Sequence, residues 1–187
     1  MRTSKKIILG ISGDIGAGKN EMTDYIKKKW RGKAYRSSEI LRDILKRLNL
    51  PETRENMQKI STSLRKDFGE DIISRVSSYD LRNIKNKIIA INGIRRMSDL
   101  KFFEKDFLVK LVYVGAHLEK RFKRISQRKE NSDDIQKTFN QFKKDHLKEA
   151  EKQTGDLRGK ADYVIKNNGT RQEFYKKIDK IINRLKK

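Results

Sequence analysis

A glycine-rich segment near the start of the chain constrains the fold more than any other feature. Gly13, Gly18 and Lys19 follow an apolar run, Ile7 to Ile11, which is typical of a buried strand. Beyond the segment, apolar residues recur at helical spacing: Met22, Tyr25, Ile26 and Trp30. A strand, a glycine-rich turn and a helix in this order predict a loop that binds phosphate.

This loop has the composition that phosphate binding requires. Glycines let the backbone curl so that successive N–H groups point inward, and the helix N-terminus adds its partial positive charge. Lys19 is predicted to reach the β- and γ-phosphates of ATP. We therefore predict an ATP site formed by eight consecutive residues: Gly13, Asp14, Ile15, Gly16, Ala17, Gly18, Lys19 and Asn20.

The residue after the lysine departs from the usual pattern. It is Asn20, where a Ser or Thr normally supplies the hydroxyl that ligates Mg²⁺. An Asn carbonyl oxygen is a donor that suits magnesium. In the alternative case, the ion is held by water and by substrate phosphates. We predict ATP and Mg²⁺ as cofactors, with Asn20 as the candidate metal ligand.

Strand and helix patterns alternate along the rest of the chain. Apolar runs predict strands at 33–36, 88–91, 108–114 and 161–165, separated by amphipathic helical stripes. This alternation predicts a five-stranded parallel sheet with right-handed crossovers and helices on both faces. Together with the glycine loop, it indicates an α/β, three-layer P-loop NTPase fold. We expect residues 1–187 to form a single domain with a small helical lid at about 117–155.

Composition narrows the classes of partner. The formal net charge is +22, from 47 Lys and Arg against 25 Asp and Glu, and such a field attracts phosphorylated ligands and polyanions. The positive residues are spread through every segment, as a lysine-rich coding bias would also produce. Nucleic-acid binding through this charge is a possible but not a favoured reading.

The absence of cysteine and the positions of the two histidines exclude several kinds of metal site. The chain has no cysteine, which excludes disulfides and Cys-based metal sites. Neither His117 nor His146 has a partner at ligand spacing, so neither is predicted to bind metal. No apolar stretch approaches the roughly 18 residues that span a bilayer. We expect a cytoplasmic monomer or homodimer without a membrane partner.

Two segments carry a resemblance to a known family. The run Ser37-Ser38-Glu39-Ile40-Leu41-Arg42 resembles the Gly-Asp-Met-Leu-Arg segment that holds the acceptor in adenylate-kinase-like enzymes. Asn92-Gly93-Ile94-Arg95 is similar to the Asp-Gly-Phe-Pro-Arg segment of the same enzymes. The resemblance implies that Glu39, Arg42 and Arg95 bind the acceptor, since two guanidinium groups clamp a phosphate bidentately. An ordinary solvated helix arginine is the alternative for Arg42.

The C-terminal third extends the resemblance. Arg121, Arg124 and Arg128 share one predicted helix face and resemble lid arginines that neutralise the transferring phosphate. A solvated basic face is the alternative. Residues 161–170 resemble the strand and loop beside the adenine in dephospho-CoA kinases and phage deoxynucleotide kinases, which implies that Asn167 contacts ATP. The resemblance assigns catalytic roles to Lys19, Arg95, Arg124 and Arg128.

These observations predict an ATP-dependent phosphotransferase that acts on a nucleotide-like acceptor. A (deoxy)nucleoside monophosphate is favoured by the segment around Arg42, and the resemblance of the C-terminal strand and loop favours dephospho-CoA kinase as the alternative. An alternative of another class is a catalytically weak P-loop protein that binds nucleic acid. The acidic position that ends the third strand in the adenylate-kinase-like enzymes is Asn92 here, so both positions expected near magnesium carry Asn.

Overall fold

A computed structural model describes residues 6–128, 138–149 and 155–186. Its strands are β1 (Ile7–Gly13), β2 (Lys33–Arg36), β3 (Ile88–Asn92), β4 (Leu108–Gly115) and β5 (Tyr163–Lys166). Its helices are α1 (Lys19–Trp30), α2 (Ser38–Arg47), α3 (Arg54–Phe68), α4 (Ile72–Arg82), α5 (Ser98–Lys101), α6 (Leu118–Arg128), α7 (Phe139–Glu149), α8 (Gly155–Lys160) and α9 (Arg171–Leu185).

The five strands form one parallel sheet in the order β2-β3-β1-β4-β5. The register sets Ile11 of β1 beside Asn92 of β3, and Gly13 beside Val114 of β4. The carboxyl ends of these strands therefore meet at one edge of the sheet, where ligands bind in open α/β folds. The predicted parallel sheet and its five strands are confirmed.

Alternate residues of β1 face opposite layers of helices. Ile7, Leu9 and Ile11 pack in a core with side chains of α1 and α9. Ile8 faces the other side, in a core shared with α4, α5 and α8. Because β1 is covered on both faces, its side chains form an apolar run without alternation, as parallel sheets require. The sheet and the helices on its two faces thus form the three predicted layers, with one core on each side of the sheet.

Two details differ from the sequence prediction. The last strand begins at Tyr163, two residues later than predicted, because the side chain of Asp162 accepts the Leu111 N–H at 2.8 Å. Helix α8 was not predicted, and its Leu157 is buried in the second core. Leu157 is the only apolar residue that this short helix contributes to the core, so its sequence carries no amphipathic stripe.

Helices α6 and α7 lie in the range predicted to form a lid. They pack through Phe122, whose ring lies 5.3 Å from that of Phe139 and 5.7 Å from that of Phe142. Residues 129–137 and 150–154 of this range lie outside the described residues. The lid at 117–155 and the single domain at 1–187 stay predictions. Over the described residues, no helix is both long and apolar enough to cross a membrane.

Candidate functional site

The glycine loop curls between β1 and α1 through left-handed backbone. Gly16 has φ of 76° and Gly18 has φ of 107°, values that residues with a Cβ rarely adopt. A side chain at either position would also be too close to its neighbours. A Cβ on Gly16 would lie 2.7 Å from the Arg121 carbonyl oxygen. One on Gly18 would lie 2.5 Å from Nδ2 of Asn167. Both positions therefore require glycine.

Lys19 opens α1 and lies over this loop. Its Nζ donates to the carbonyl oxygens of Gly13 at 2.7 Å and Asp14 at 2.8 Å. Gly18 is the N-cap and offers no side-chain hydrogen bond to the helix. Since the first N–H groups of a helix have no intrahelical acceptor, this end of α1 favours an anion. The loop, the helix end and Lys19 together form an electropositive cradle.

Arg121 lies under the loop instead of on an exposed face. Its side chain donates to the carbonyl oxygens of Ala116 at 3.0 Å and Ile15 at 3.2 Å, and it is only 2% exposed. Its guanidinium lies 5.6 Å from the ring centre of Phe142. The helical spacing placed Arg121 on a face with two other arginines, but the close approach of α6 to the loop buries it. This geometry is that of a brace for the loop.

Arg124 and Asn167 contact the same loop from α6 and from the segment after β5. Arg124 donates to the carbonyl oxygens of Asn167 at 3.0 Å and Ala17 at 3.5 Å. Asn167 donates through Nδ2 to the Ala17 carbonyl oxygen at 2.9 Å. Burial lowers the pKa of Arg124, although a guanidinium stays charged in proteins. The structure thus brings two predicted residues together at Ala17.

The second residue of the loop is held by a tyrosine that sequence reasoning missed. The hydroxyl of Tyr113 on β4 donates to Oδ1 of Asp14 at 2.8 Å, and Arg121 lies 3.9 Å from Oδ2. Burial and the bond to Asp14 raise the pKa of Tyr113. No local signal marks this residue, because its role depends on the pairing of β4 with β1. Asp14 is therefore fixed from two sides.

The two asparagines predicted to lie near magnesium do meet. Nδ2 of Asn92 donates to Oδ1 of Asn20 at 2.6 Å. The metal ligand predicted at Asn20 is therefore half of an amide pair, with its carbonyl oxygen already accepting a hydrogen bond. Neither side chain is charged, and over the described residues no three His, Asp or Glu gather as a metal site. These residues do not fit a magnesium ion held by the protein.

On the acceptor side, Arg42 lies between two carboxylates. Its Nη1 donates to Oε2 of Glu52 at 3.1 Å, and its Nε lies 3.9 Å from Oε1 of Glu39. Glu39 and Arg42, which were each predicted to bind the acceptor, thus lie beside one another on α2. Glu52 was not singled out, since it follows the only proline, Pro51, in a loop between helices. The three side chains form a small ionic cluster beyond β2.

The second predicted acceptor arginine, Arg95, is exposed in the loop after β3. The carboxylate of Asp99 shapes this loop by accepting the N–H groups of Arg95 and Arg96, each at 3.0 Å. Asp99 is paired in turn with Arg65 of α3 at 2.7 Å. Sequence reasoning missed both residues of this ion pair. The one local signal is an acidic residue at the start of a short helix.

The remaining predicted residues have simple placements. Arg128 ends α6, and its side chain lies outside the described part of the chain, as does that of His146. His117 is exposed and donates its backbone N–H to Oδ1 of Asn168 at 2.8 Å. The predicted residues therefore fall into a cradle around Lys19, an ionic cluster around Arg42 and a loop that carries Arg95.

Comparisons with known proteins agree with this geometry. The family model described as AAA domain matches residues 12–143. The UPF0200 protein PH1008 of Pyrococcus horikoshii is 28% identical over 185 residues, covering 96% of this chain and 97% of that protein. A UPF0200 protein of Staphylothermus marinus is 28% identical over 181 residues, covering 97% of this chain and 94% of that protein.

Solved structures share the fold. The shikimate kinase of Bacteroides thetaiotaomicron superposes with a TM-score of 0.65 at 14% identity, over 97% of this chain and 99% of that one. A gluconokinase of Sinorhizobium meliloti gives 0.59 at 11% identity, over 97% and 94%. Because the AAA domain match spans most of the chain and contains the whole cradle, the protein belongs to that family, with a P-loop, nucleotide-kinase-like fold.

Proposed function

We propose that this protein transfers the γ-phosphate of ATP to a small anionic acceptor, with a (deoxy)nucleoside monophosphate as the first candidate. The observation that carries the proposal is the cradle between β1 and α1. It combines left-handed glycines, an uncapped helix end and a lysine folded over the loop. This combination suits a polyphosphate because each part supplies N–H donors or positive charge.

On the donor side, Lys19 would exchange its present carbonyl partners for β- and γ-phosphate oxygens. The exchange replaces neutral acceptors with anionic ones, which form stronger hydrogen bonds. The loop need not reorganise, since Arg121, Arg124 and Asn167 already hold its carbonyl groups. In this proposal Arg121 is a positioning residue. Arg124, which contacts the Ala17 carbonyl oxygen of the loop, would stabilise charge on the transferring phosphate.

On the acceptor side, Arg95 and Arg42 follow the carboxyl ends of β3 and β2, at the same sheet edge as the cradle. An acceptor phosphate would compete with Glu52 for Arg42. Glu39 would then orient the acceptor beside it. Two arginines from different segments of the chain would fix a phosphate in position and would also neutralise its charge. This arrangement supports an acceptor that carries its own anionic group.

The chemistry needs no nucleophilic side chain. An acceptor oxygen forms a bond to the γ-phosphorus while the bond from that phosphorus to the β,γ-bridging oxygen breaks. ADP leaves with the electron pair. Positioning and charge stabilisation supply most of the catalysis in such transfers. Lys19, Arg95 and Arg124, with Arg128 at the end of α6, are the residues that we propose for these tasks.

A coupled measurement of ADP formation tests the proposal. ATP is offered with each nucleoside monophosphate, with dephospho-CoA, and with shikimate and gluconate, because kinases of these two types share the fold. We expect one monophosphate to raise turnover well above the ATPase background, and Lys19→Met to abolish that increase. If no acceptor raises turnover, phosphoryl transfer to these classes is excluded.

Paired variants assign the acceptor site. Arg95→Met should raise the acceptor KM by about tenfold or more, since it removes one charge-assisted contact. Arg96→Met is the matched control, because Arg96 is also exposed in the same loop and pairs with Glu70. It should leave the acceptor KM unchanged. Equal effects of the two variants would argue against a specific role for Arg95.

A further inference from the structure

The place where a metal would meet the protein is occupied by two neutral amides. Asn20 follows the cradle lysine and Asn92 ends β3, and they bond to one another at 2.6 Å. Asn92 is buried, with only 8% of its surface exposed. An amide pair carries no net charge, and the hydrogen bond between the two residues uses the carbonyl oxygen of Asn20. A divalent cation gains little from such a pair, because Mg²⁺ is usually bound through carboxylates and phosphates.

Three carboxylates, in the cradle loop, in the first turn of α1 and after β3, already have polar and positively charged partners. Asp14 accepts from Tyr113 and faces Arg121. Asp99 pairs with Arg65 and accepts two backbone N–H groups. Glu21, in the first turn of α1, accepts from the hydroxyl of Tyr175 and pairs with Arg171 at 3.1 Å. Each of these three carboxylates is therefore held by a hydrogen-bond donor and faces an arginine, so part of its negative charge is already compensated.

The same region is rich in positive groups. Lys19 and Arg124 both donate to carbonyl oxygens of the loop, and the N-terminus of α1 adds its dipole. The whole chain carries a formal charge of +22. A divalent cation bound to a polyphosphate cancels part of the negative charge that these groups attract. A bound ion therefore weakens attraction to the cradle, and in the part of the chain that the structure describes no cluster of carboxylates is present to compensate for this loss.

We propose that the preferred ligand of this cradle is a metal-free nucleoside polyphosphate, so that Mg²⁺ weakens nucleotide binding. The inference rests on the proposed function, since it concerns the same nucleotide site. It follows from linkage, because an ion that binds the free nucleotide better than the bound one competes with the protein. Free magnesium would then act as a negative regulator of occupancy.

Isothermal titration of the protein with ATP tests this directly. One titration contains EDTA, and the other contains Mg²⁺ in excess over ATP, at equal ionic strength. We expect the Kd in EDTA to be lower by about fivefold or more, a ratio that corresponds to the free energy of one screened charge contact. Equal binding in the two buffers, or tighter binding with Mg²⁺, overturns the inference and leaves the proposed nucleotide site intact. Absence of binding in both overturns the nucleotide site as well.

Variants of the amide pair provide the second arm. The double variant Asn20→Ser with Asn92→Asp introduces a hydroxyl and a carboxylate. We expect its preference for metal-free ATP to reverse, so that ATP binds more tightly in Mg²⁺. Asn83→Asp adds the same charge at the exposed end of α4 and should keep the wild-type preference. Thermal unfolding confirms that each variant folds. If the double variant and Asn83→Asp shift the preference equally, the effect is overall charge, and the role of the amide pair is refuted.

Discussion

Arg65 on α3 donates through Nη2 to Oδ1 of Asp99 at 2.7 Å, and both side chains are only 9% exposed. The other carboxylate oxygen of Asp99 accepts the N–H groups of Arg95 and Arg96. A buried ion pair thus supports the loop that carries the proposed acceptor arginine. The stability of this loop and its proposed role in acceptor binding therefore depend on the same carboxylate.

Arg65→Met is expected to lower the free energy of unfolding by about 3–5 kcal/mol, because it leaves the buried carboxylate of Asp99 without its partner. Urea denaturation followed by circular dichroism measures the change. Lys66→Met is the control, since Lys66 neighbours Arg65 on α3 but is exposed. A loss in Arg65→Met no larger than in the control would show that the ion pair adds nothing.

Gly18→Ala should both destabilise the protein and abolish ATP binding. The new methyl group would lie 2.5 Å from Nδ2 of Asn167, at a backbone φ of 107° that alanine rarely adopts. Calorimetric titration and thermal unfolding measure the two effects. Gly159→Ala is the matched control, because among the described residues its added Cβ would have no contact within 4 Å beyond its own helix turn, and helices favour alanine over glycine. Retention of ATP binding by Gly18→Ala would contradict the loop geometry.

Arg121→Met tests whether the buried arginine is a brace for the loop. The change removes donors from the Ile15 and Ala116 carbonyl oxygens, and we expect a loss of about 2–3 kcal/mol in stability and weaker ATP binding. Lys123→Met, on the exposed side of the same helix, should change neither quantity. If Arg121→Met keeps full stability but loses turnover, Arg121 acts on the transferring phosphate instead.

Asp179 gives the protein an acid-sensitive contact between α1 and α9. It accepts from Tyr25 at 2.9 Å, Trp30 at 2.9 Å and Lys29 at 2.8 Å. Burial alone raises the pKa of Asp179, but the bonds from Lys29, Tyr25 and Trp30 outweigh it and lower the pKa overall. The ionised carboxylate therefore stabilises the folded state above the unfolded pKa of about 4. This stability is lost as the pH falls through the lower folded pKa.

Asp179→Asn is thus expected to cost about 2 kcal/mol at pH 7, from weakened charge-assisted bonds. The difference from the wild type should shrink as the pH falls below about 4. Urea denaturation between pH 3 and pH 7 measures this trend. Asp24→Asn, exposed on α1, serves as the control. A difference that is constant across this range would mean that ionisation of Asp179 does not stabilise the fold.

Much of the fold could be predicted because its signals are local. The apolar run of β1 and the helical stripes of α1 and α9 are each visible within about a dozen residues. The sheet edge at which the cradle forms follows from the parallel arrangement. Helix α8 escaped prediction, since it is six residues long and contributes one buried side chain, Leu157. The start of β5 was set by the side chain of Asp162, which no periodic pattern records.

The candidate site likewise contains residues that could be predicted from the sequence and residues that could not. The residues of the cradle were identifiable from spacing, and the pairing of Glu39 with Arg42 follows from one helical turn. The burial of Arg121 under the loop could not be predicted, because helical spacing shows which face of α6 it shares but not which segment packs against that face. Tyr113, Arg65 and Asp99 were missed since each acts on a residue distant in sequence or through backbone groups.

The amino-acid sequence by itself determined that a phosphate cradle would form between the first strand and the first helix. Glycines at left-handed positions and a lysine at the helix start are sufficient for that, and both are local properties. Only the tertiary structure decided that Asn20 bonds to Asn92, 72 positions away, and that Arg121 supports the cradle from below. Those contacts depend on strand order and helix packing, which bring distant side chains within hydrogen-bond distance.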